Sequence, residues 1–166
     1  MNKFVLIAIL AICCNGLYAQ PGTRVYKIAD STFGFDAYWR RLMAQGKYEE
    51  AAKILEFDVK ASRRRDVNRH SFYWHAGQLR AMAGQYKKAK RDMRKTHSIF
   101  YKLGGEDAKT WYYYAKGTEA FLDGDKKRLV AIIKKWEKRY TRDKNYENLL
   151  RLLDSWGKTY AQANGM

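Results

Sequence analysis

Three histidines and a few paired acids are the residues of this chain that could carry out acid–base or metal chemistry. His70 and His75 lie five residues apart, so they do not share a helix face at the spacing of three or four that a metal pair needs. Acid pairs such as Glu106–Asp107 stand near predicted helix starts, where they complement the helix dipole. The chain has no His-Glu-x-x-His motif, no phosphate-binding glycine loop and no serine nucleophile elbow. The sequence therefore predicts a protein that is not an enzyme and that binds no cofactor or metal.

The elements that would position any functional side chain are predicted to be helices. Apolar residues recur at spacings of three and four, and sustained two-residue alternation is missing from the sequence, so we expect an all-α fold. Seven helices are predicted, at about 34–45, 48–61, 69–83, 86–102, 107–122, 126–140 and 144–162. The connections are short, so consecutive helices are expected to pack as antiparallel pairs.

Glycines seven residues apart indicate an internal repeat. Gly77 precedes Gly84, and Gly117 precedes Gly124. An earlier copy has Gly46 in the place of the second glycine, and the three second glycines are spaced by 38 and 40 residues. A glycine inside a helix costs roughly 1 kcal/mol relative to alanine, which the close approach of another helix would offset. Gly77 and Gly117 are therefore predicted to be equivalent crossing points in stacked hairpins.

This layout resembles the tetratricopeptide repeat. That repeat combines a large residue, a small residue at the helix crossing, a turn glycine, an aromatic residue two positions later and a small residue on the second helix. The middle copy has Tyr73, Gly77, Gly84, Tyr86 and Ala89 at these positions. The resemblance covers about residues 34–140 as three degenerate copies, with a period above the usual ~34 residues. It implies an antiparallel helix-hairpin solenoid, closed here by a capping helix at about 144–162.

The other two copies depart from the family pattern. The third copy has Lys126 in place of the aromatic residue and Leu129 in place of the small one. The first copy has Trp39 where the crossing favours a small side chain. These departures leave the architecture as the main implication of the resemblance and point to no named subfamily.

The first 19 residues have the order of a secretory signal peptide. Lys3 is followed by nine apolar residues at 4–12, and Ala19 ends a small-residue cleavage site. That run is shorter than the roughly 20 residues needed to span a bilayer, so cleavage after Ala19 is favoured over an uncleaved anchor. A lipoprotein attached through Cys13 or Cys14 is the lesser alternative. We expect export to the periplasm or the cell exterior, with a lead-in segment at 20–33 and the repeat domain at 34–163.

The charge balance favours anionic partners. Loss of residues 1–19 removes one of 33 basic residues and none of 17 acidic ones, which leaves a net charge of +15. Such a charge promotes association with nucleic acid, acidic proteins, glycans or anionic lipid, although it is also compatible with a merely solvated basic face. The anionic-surface candidates, mostly on predicted second helices, are Arg63, Arg64, Arg65, Lys87, Lys88, Arg91, Arg94, Lys134, Lys135 and Lys138.

The resemblance also implies a partner-binding groove on the concave surface. In tetratricopeptide repeats, the first helix of each hairpin lines a groove that holds extended peptides or helices. The matching positions in this chain are Arg40, Trp74, Gln78, Trp111, Tyr114 and Thr118. Tryptophan, tyrosine and arginine dominate binding hot spots, although the same aromatic residues could instead pack as core between repeats.

The sequence thus predicts a non-enzymatic protein–protein interaction module of the cell envelope, which binds an extended peptide or helix in an aromatic groove. The alternative is a binder of anionic polymer or lipid head groups through the convex basic residues. A third class is a small structural component of a larger envelope assembly. High salt would weaken the anion binder steeply and the aromatic groove much less.

Overall fold

The computed structural model describes residues 34–61 and 69–165. The predicted signal peptide, the lead-in segment and the candidates Arg63, Arg64 and Arg65 lie outside these residues. Within them the chain forms α-helices and two short 3-10 helices and no strand, which confirms the all-α prediction. The α-helices are α1 (Gly34–Ala44), α2 (Tyr48–Ala61), α3 (Arg69–Met82), α4 (Tyr86–Met93), α5 (Glu106–Leu122), α6 (Lys126–Arg139), α7 (Lys144–Asp154) and α8 (Tyr160–Ala163).

Three hairpins, α1–α2, α3–α4 and α5–α6, share one turn geometry. Gly46, Gly84 and Gly124 all adopt left-handed backbone, with φ of 73°, 73° and 70°. In each turn the glycine N–H donates to the carbonyl three residues back, and the next N–H donates to the carbonyl five residues back. For Gln85 the latter bond reaches the Arg80 carbonyl at 2.8 Å. This double bond pattern is the Schellman motif, which ends a helix where glycine takes the left-handed position.

The hairpins stack along the chain, because each helix packs mainly against its neighbours in sequence. One apolar cluster joins α1, α2 and α3 around Trp39, Leu55 and Leu79. A larger cluster joins α3 to α8 around Met93 and Trp136. The half-buried Met82 side chain packs against both clusters. The core is therefore continuous between the first hairpin and the rest of the described chain.

The two helix glycines are crossing points, but the prediction that they are equivalent is wrong. Gly77 faces its own hairpin partner: a Cβ there would lie 2.6 Å from Met93 Cγ and 3.1 Å from the Ala89 carbonyl oxygen on α4. Gly117 faces α7, where a Cβ would lie 2.6 Å from Leu149 Cδ2. The physical reason lies in the second helices. Alanine at position 89 lets α4 approach α3, whereas the buried Leu129 takes the matching position on α6.

The fourth helix ends earlier than predicted. Instead of continuing to residue 102, α4 stops at Met93 and is followed by 3-10 helices at Arg94–Thr96 and Ile99–Leu103. The buried Thr96 hydroxyl donates to the Met93 carbonyl at 2.7 Å, which takes an acceptor from the helix ladder. His97 then has extended backbone, with φ of −152°. The chain thereby leaves the helix path before α5.

The C-terminal helix is also divided, where one continuous helix was predicted at 144–162. Helix α7 ends at Asp154, and Gly157 adopts a φ of 90°, which breaks the helical path. The four-residue helix α8 follows and contacts α3 as well as α7. The segment after α7 thus returns to an earlier hairpin.

Alanine at the two crossing glycines is expected to destabilise the protein unequally. Gly77→Ala should cost about 1–3 kcal/mol, because the new methyl group meets fixed backbone at Ala89 as well as a side chain. Gly117→Ala should cost less, because the new methyl group meets side-chain atoms of Leu149 and no backbone atom. Urea unfolding followed by circular dichroism measures both. Gly105→Ala, with no atom within 4 Å of the added carbon, is the control; an equal loss in all three variants would contradict this account of the crossings.

Candidate interaction surfaces

An aromatic cluster joins α3 to α5. The Trp74 ring lies 4.8 Å from the Trp111 ring and 5.1 Å from the Tyr114 ring, centroid to centroid, and the last two are 5.8 Å apart. The predicted alignment of the two indoles is therefore observed. Trp74 and Tyr114 are nevertheless only 5% and 6% exposed. They serve as core between the hairpins, and the prediction that they line an open groove is wrong for these two side chains.

The other groove candidates lie in different surroundings. Trp111 is half-buried, and its indole N–H donates to the Thr96 carbonyl at 2.9 Å, so it holds the turn after α4. Thr118 is fully buried and, like Trp74 and Tyr114, does not line an open groove in this structure. Arg40 is exposed, with its guanidinium 4.4 Å above the ring of Trp39.

Gln78 is half-buried on α3, where its side-chain oxygen accepts a hydrogen bond from His75 Nδ1 at 3.1 Å. Together with the α5 residues Tyr114, Thr118 and Phe121, it forms a surface that we call the inner face. Those three α5 residues are spaced by four and three positions and therefore share one side of the helix. The inner face is thus built from two of the predicted first helices.

Helix α8 lies on the inner face. Tyr160, its first residue, is 2% exposed, and its ring centroid lies 6.2 Å from that of Phe121. The Tyr160 backbone N–H donates to the Tyr86 hydroxyl at 3.2 Å, across 74 residues of sequence. Burial, together with the neighbouring Tyr114, raises the pKa of the Tyr160 hydroxyl, although a hydrogen bond with Gln78 opposes the rise. The predicted groove positions therefore meet a helix, and that helix belongs to the same chain.

Hydrogen bonds stabilise both ends of α8. At its start, the Thr159 N–H donates to Gln162 Oε1 at 3.0 Å, and the Gln162 N–H donates to the Thr159 hydroxyl at 3.2 Å. This reciprocal pair is a capping box. At its end, the Asn164 amide donates to the Tyr160 carbonyl at 2.7 Å, and Arg151 donates to Asn164 Oδ1 at 3.0 Å. Sequence reasoning missed α8, although threonine followed three residues later by glutamine was a usable pattern.

The basic candidates on α4 are mostly paired with acids. Lys88 lies 3.8 Å from a Glu49 carboxylate oxygen, and Arg91 lies 3.9 Å from one of Glu56. Arg94, in the 3-10 helix that follows α4, lies 3.5 Å from a Glu119 carboxylate oxygen. Lys87 is exposed and forms no ion pair with any residue that the structure describes. Since part of the charge on this helix is neutralised within the protein, α4 is a weaker anion site than its composition suggests.

The basic side chains of α6 are less engaged. Lys134 and Lys138 are exposed and form no ion pair among residues 34–61 and 69–165, and the same holds for Lys127, which sequence reasoning missed. These three residues, spaced by seven and four, form a stripe on one side of α6 about 16 Å long. The Lys135 ammonium instead lies 5.1 Å above the ring of Tyr113. The lysine stripe is therefore a cationic surface whose charge is not neutralised by acids of the described chain.

A hydrophobic turn projects from the surface after α4. Ile99, Phe100 and Leu103 are 56%, 73% and 82% exposed. The turn is tethered by Tyr101, whose hydroxyl lies 3.1 Å from His70 Nδ1. Exposed apolar side chains in a cluster are typical of contact surfaces.

One pair of groups capable of acid–base chemistry, His97 and Glu119, lies in the protein interior. His97 Nε2 lies 2.8 Å from Glu119 Oε1, and Lys116 donates to Glu119 Oε2 at 3.0 Å. Both side chains of the His97–Glu119 pair are buried, at 5% and 2% exposed. In the part of the chain that the structure describes, no group of three histidine, cysteine or acidic residues is arranged to hold a metal ion.

The fold and these surfaces define the class of the molecule as an all-α protein built from stacked helical hairpins. Comparison with protein-family models, curated proteins and solved structures finds no match for the chain. None of the described helices combines the length and the apolar character needed to cross a bilayer.

Proposed function

We propose that this chain is a non-enzymatic protein-interaction module that receives a helix or an extended peptide from another protein on its inner side. One observation carries the proposal: the inner face already accommodates a helix, because α8 docks there through the buried Tyr160. A surface that holds a helix from its own chain has the shape and the hydrogen-bonding groups to hold one from another chain.

The repeated turns support a tetratricopeptide-like architecture as part of this proposal. Three hairpins end their first helix with the same Schellman bonds around Gly46, Gly84 and Gly124. In the middle hairpin, Gly77 approaches Ala89 at the small-against-small crossing that the family uses. In the last hairpin, Gly117 faces Leu149 on α7 instead of a small residue on α6, so this repeat departs from the family pattern.

A non-enzymatic role is supported by the burial of the acid–base groups. A substrate would have to displace core side chains to reach the His97–Glu119 pair. Lys116 and Arg94 also surround that carboxylate, so its charge is satisfied within the protein. Export to the periplasm or the cell exterior completes the proposal and rests on the composition of residues 1–19 alone.

The second candidate function is the binding of an anionic polymer or of lipid head groups. The lysine stripe of α6 favours it, because Lys127, Lys134 and Lys138 form no ion pair with the residues that the structure describes. Three lysines facing one side can each contact a phosphate or sulfate and release its counterions.

Purification of the tagged full chain from its host, washed at about 0.1 M and about 0.5 M salt, separates the two candidates. We expect a protein partner to survive the higher salt. Arg40→Ala, which removes the exposed guanidinium at the groove position of α1, should weaken its retention by about tenfold or more, as loss of an arginine hot spot does. Arg41→Ala, the exposed neighbour on the same helix, is the matched control.

A variant with Lys127, Lys134 and Lys138 replaced by alanine tests the second candidate. Under the main proposal it keeps the protein partner. Loss of all retention at the higher salt and in this variant would overturn the main proposal in favour of the anion binder. Equal retention by Arg40→Ala and Arg41→Ala would remove the groove position of α1 from the binding surface.

A further inference from the structure

We propose that α8 is an intramolecular occupant of the inner face, which a partner helix anchored by a tyrosine must displace. This inference rests on the proposed function of the inner face, whose regulation and partner chemistry it specifies. The partner segment that fits is a short helix that begins with tyrosine, directly after a serine or threonine cap, as Tyr160 follows Thr159.

The path of the chain separates α8 from the stack of hairpins. The first three hairpins place their second helix directly after a glycine turn, and that helix packs beside its own partner. After α7 the chain instead turns at Gly157, and α8 contacts α3, which lies five helices earlier in the chain. The hydrogen bond from the Tyr160 N–H to the Tyr86 hydroxyl likewise joins α8 to a hairpin that lies much earlier in the chain. The segment is thus bound to the stack as a peptide would be.

Helix α8 depends on the inner face for its own structure. It has four residues, far fewer than the roughly 12 that an isolated helix needs to persist in water. One large side chain, Tyr160, is fully buried, while Thr159 and Gln162 are exposed. A segment held by one anchor and a capping box can fold on docking and unfold on release.

The groups that hold the anchor are those expected to recognise a partner. Gln78 and Tyr114 were predicted from the repeat pattern as groove residues, and both surround the Tyr160 side chain. Phe121 contacts the Tyr160 ring and also lies 5.7 Å from the ring of Trp156. The next turn of α8 presents only Ala163, which is buried. A competing helix therefore needs a tyrosine and, three residues later, a small side chain.

Attachment to the same chain gives α8 a strong advantage over a free competitor. A short tether holds a ligand at an effective concentration in the millimolar range. A free peptide of the same sequence therefore binds the wild-type chain only in the fraction of molecules from which α8 has undocked. Weakening the docking of α8 raises that fraction and the apparent affinity for the peptide.

The test uses a fluorescent peptide of residues 155–165 and the full chain, with binding measured by anisotropy. Tyr160→Ala is expected to bind this peptide about tenfold or more tightly than the wild type does, because its own tail no longer competes. Tyr38→Ala, which removes an exposed tyrosine on α1, should match the wild type. A peptide that carries alanine at the tyrosine position should bind neither protein.

A second variant keeps the test valid if Tyr160→Ala does not fold. Replacing Thr159 and Gln162 by alanine removes the capping box through exposed side chains and leaves Tyr160 in place. It should bind the wild-type peptide more tightly than the wild-type chain does, by about threefold. Circular dichroism confirms that both variants retain their helices.

Three results would overturn the inference. The first is equal peptide affinity for wild type and both variants. The second is equal binding of the alanine-substituted peptide, which would remove the tyrosine as anchor. The third is a concentration-dependent wild-type dimer that the tail variants abolish, since α8 would then dock on a second copy.

The fate of the proposed function is decided separately. If the tail variants bind no peptide while Arg40→Ala still loses its protein partner, the inference fails and the proposed function stands. If the peptide binds as expected but no protein is retained at high salt, the inference about α8 stands and the proposed function fails.

Discussion

Replacing Arg80 by alanine is expected to lower the free energy of unfolding by about 3–5 kcal/mol, since it breaks a buried ion network by removing one partner. Arg80 on α3 is 5% exposed and donates to both carboxylate oxygens of Glu56 on α2, at 2.8 and 2.5 Å. It also pairs with Asp92 on α4, which is fully buried. Without the guanidinium, Asp92 is left in the core with too few partners.

The pKa of Glu56 is lowered, chiefly by the hydrogen bonds from Arg80, so this carboxylate is ionised at neutral pH and needs its partner. Urea unfolding at pH 7 measures the loss. Arg91→Ala is the matched control: this arginine lies 3.9 Å from Glu56 and 3.8 Å from Asp92 but is 62% exposed. Arg91→Ala should lower the free energy of unfolding by at most about 1 kcal/mol, because an exposed ion pair contributes no more than that. Equal losses in the two variants would show that burial does not govern this network.

The network also explains what could and could not be predicted from the sequence. The hairpin turns were predictable, because a left-handed backbone position favours glycine whatever packs around it. Gly46, Gly84 and Gly124 therefore identify three turns from local chemistry alone. The ends of α4 and α7 were mispredicted where a threonine hydroxyl and Gly157 interrupt an otherwise helical pattern.

Contacts between distant helices could not be predicted in the same way. Arg80 and Arg91 are both basic residues on helices, and their types and local spacing do not distinguish the buried one from the exposed one. Only the packing of α2 and α4 against α3 brings Glu56 and Asp92 to Arg80. Likewise, the predicted equivalence of Gly77 and Gly117 failed because the crossing partner depends on which helix approaches, and position 129 carries a leucine.

The candidate site was predicted in part. The repeat pattern predicted that Trp74 and Trp111 lie together, and the two rings are in contact. The assignment of Gln78 and Tyr114 to a partner-binding groove stays a prediction. Its occupant was not predicted, because a four-residue helix contains too few residues to show a helical period. The lysine stripe of α6 could be counted from sequence, but its lack of acidic partners within the described chain depends on the fold.

Glu119→Gln is expected to weaken the protein at neutral pH and to flatten its loss of stability in acid. Burial disfavours the charged form of Glu119, but hydrogen bonds from His97 and Lys116 outweigh it and lower the pKa from the ordinary 4.5 to about 2. Because the folded-state pKa lies below the unfolded one, the carboxylate stabilises the fold fully above about pH 4.5. That contribution is lost as the pH falls from there toward 2. Its size at pH 7 is up to about 3 kcal/mol.

Urea unfolding at pH 7, 4.5 and about 2.5 measures this contribution across the window in which Glu119 titrates. The glutamine variant keeps the shape of the side chain but loses its attraction for Lys116 and Arg94, so it should be less stable than the wild type at pH 7 and closer to it at the lowest pH. Glu147→Gln, an exposed carboxylate on α7, should change stability by about 0.5 kcal/mol or less throughout. If wild type and Glu119→Gln lose stability in parallel as the pH falls, then Glu119 does not carry the acid dependence of this fold. The other carboxylates whose pKa is lowered, Glu49, Glu56 and Asp123, are then the candidates for it.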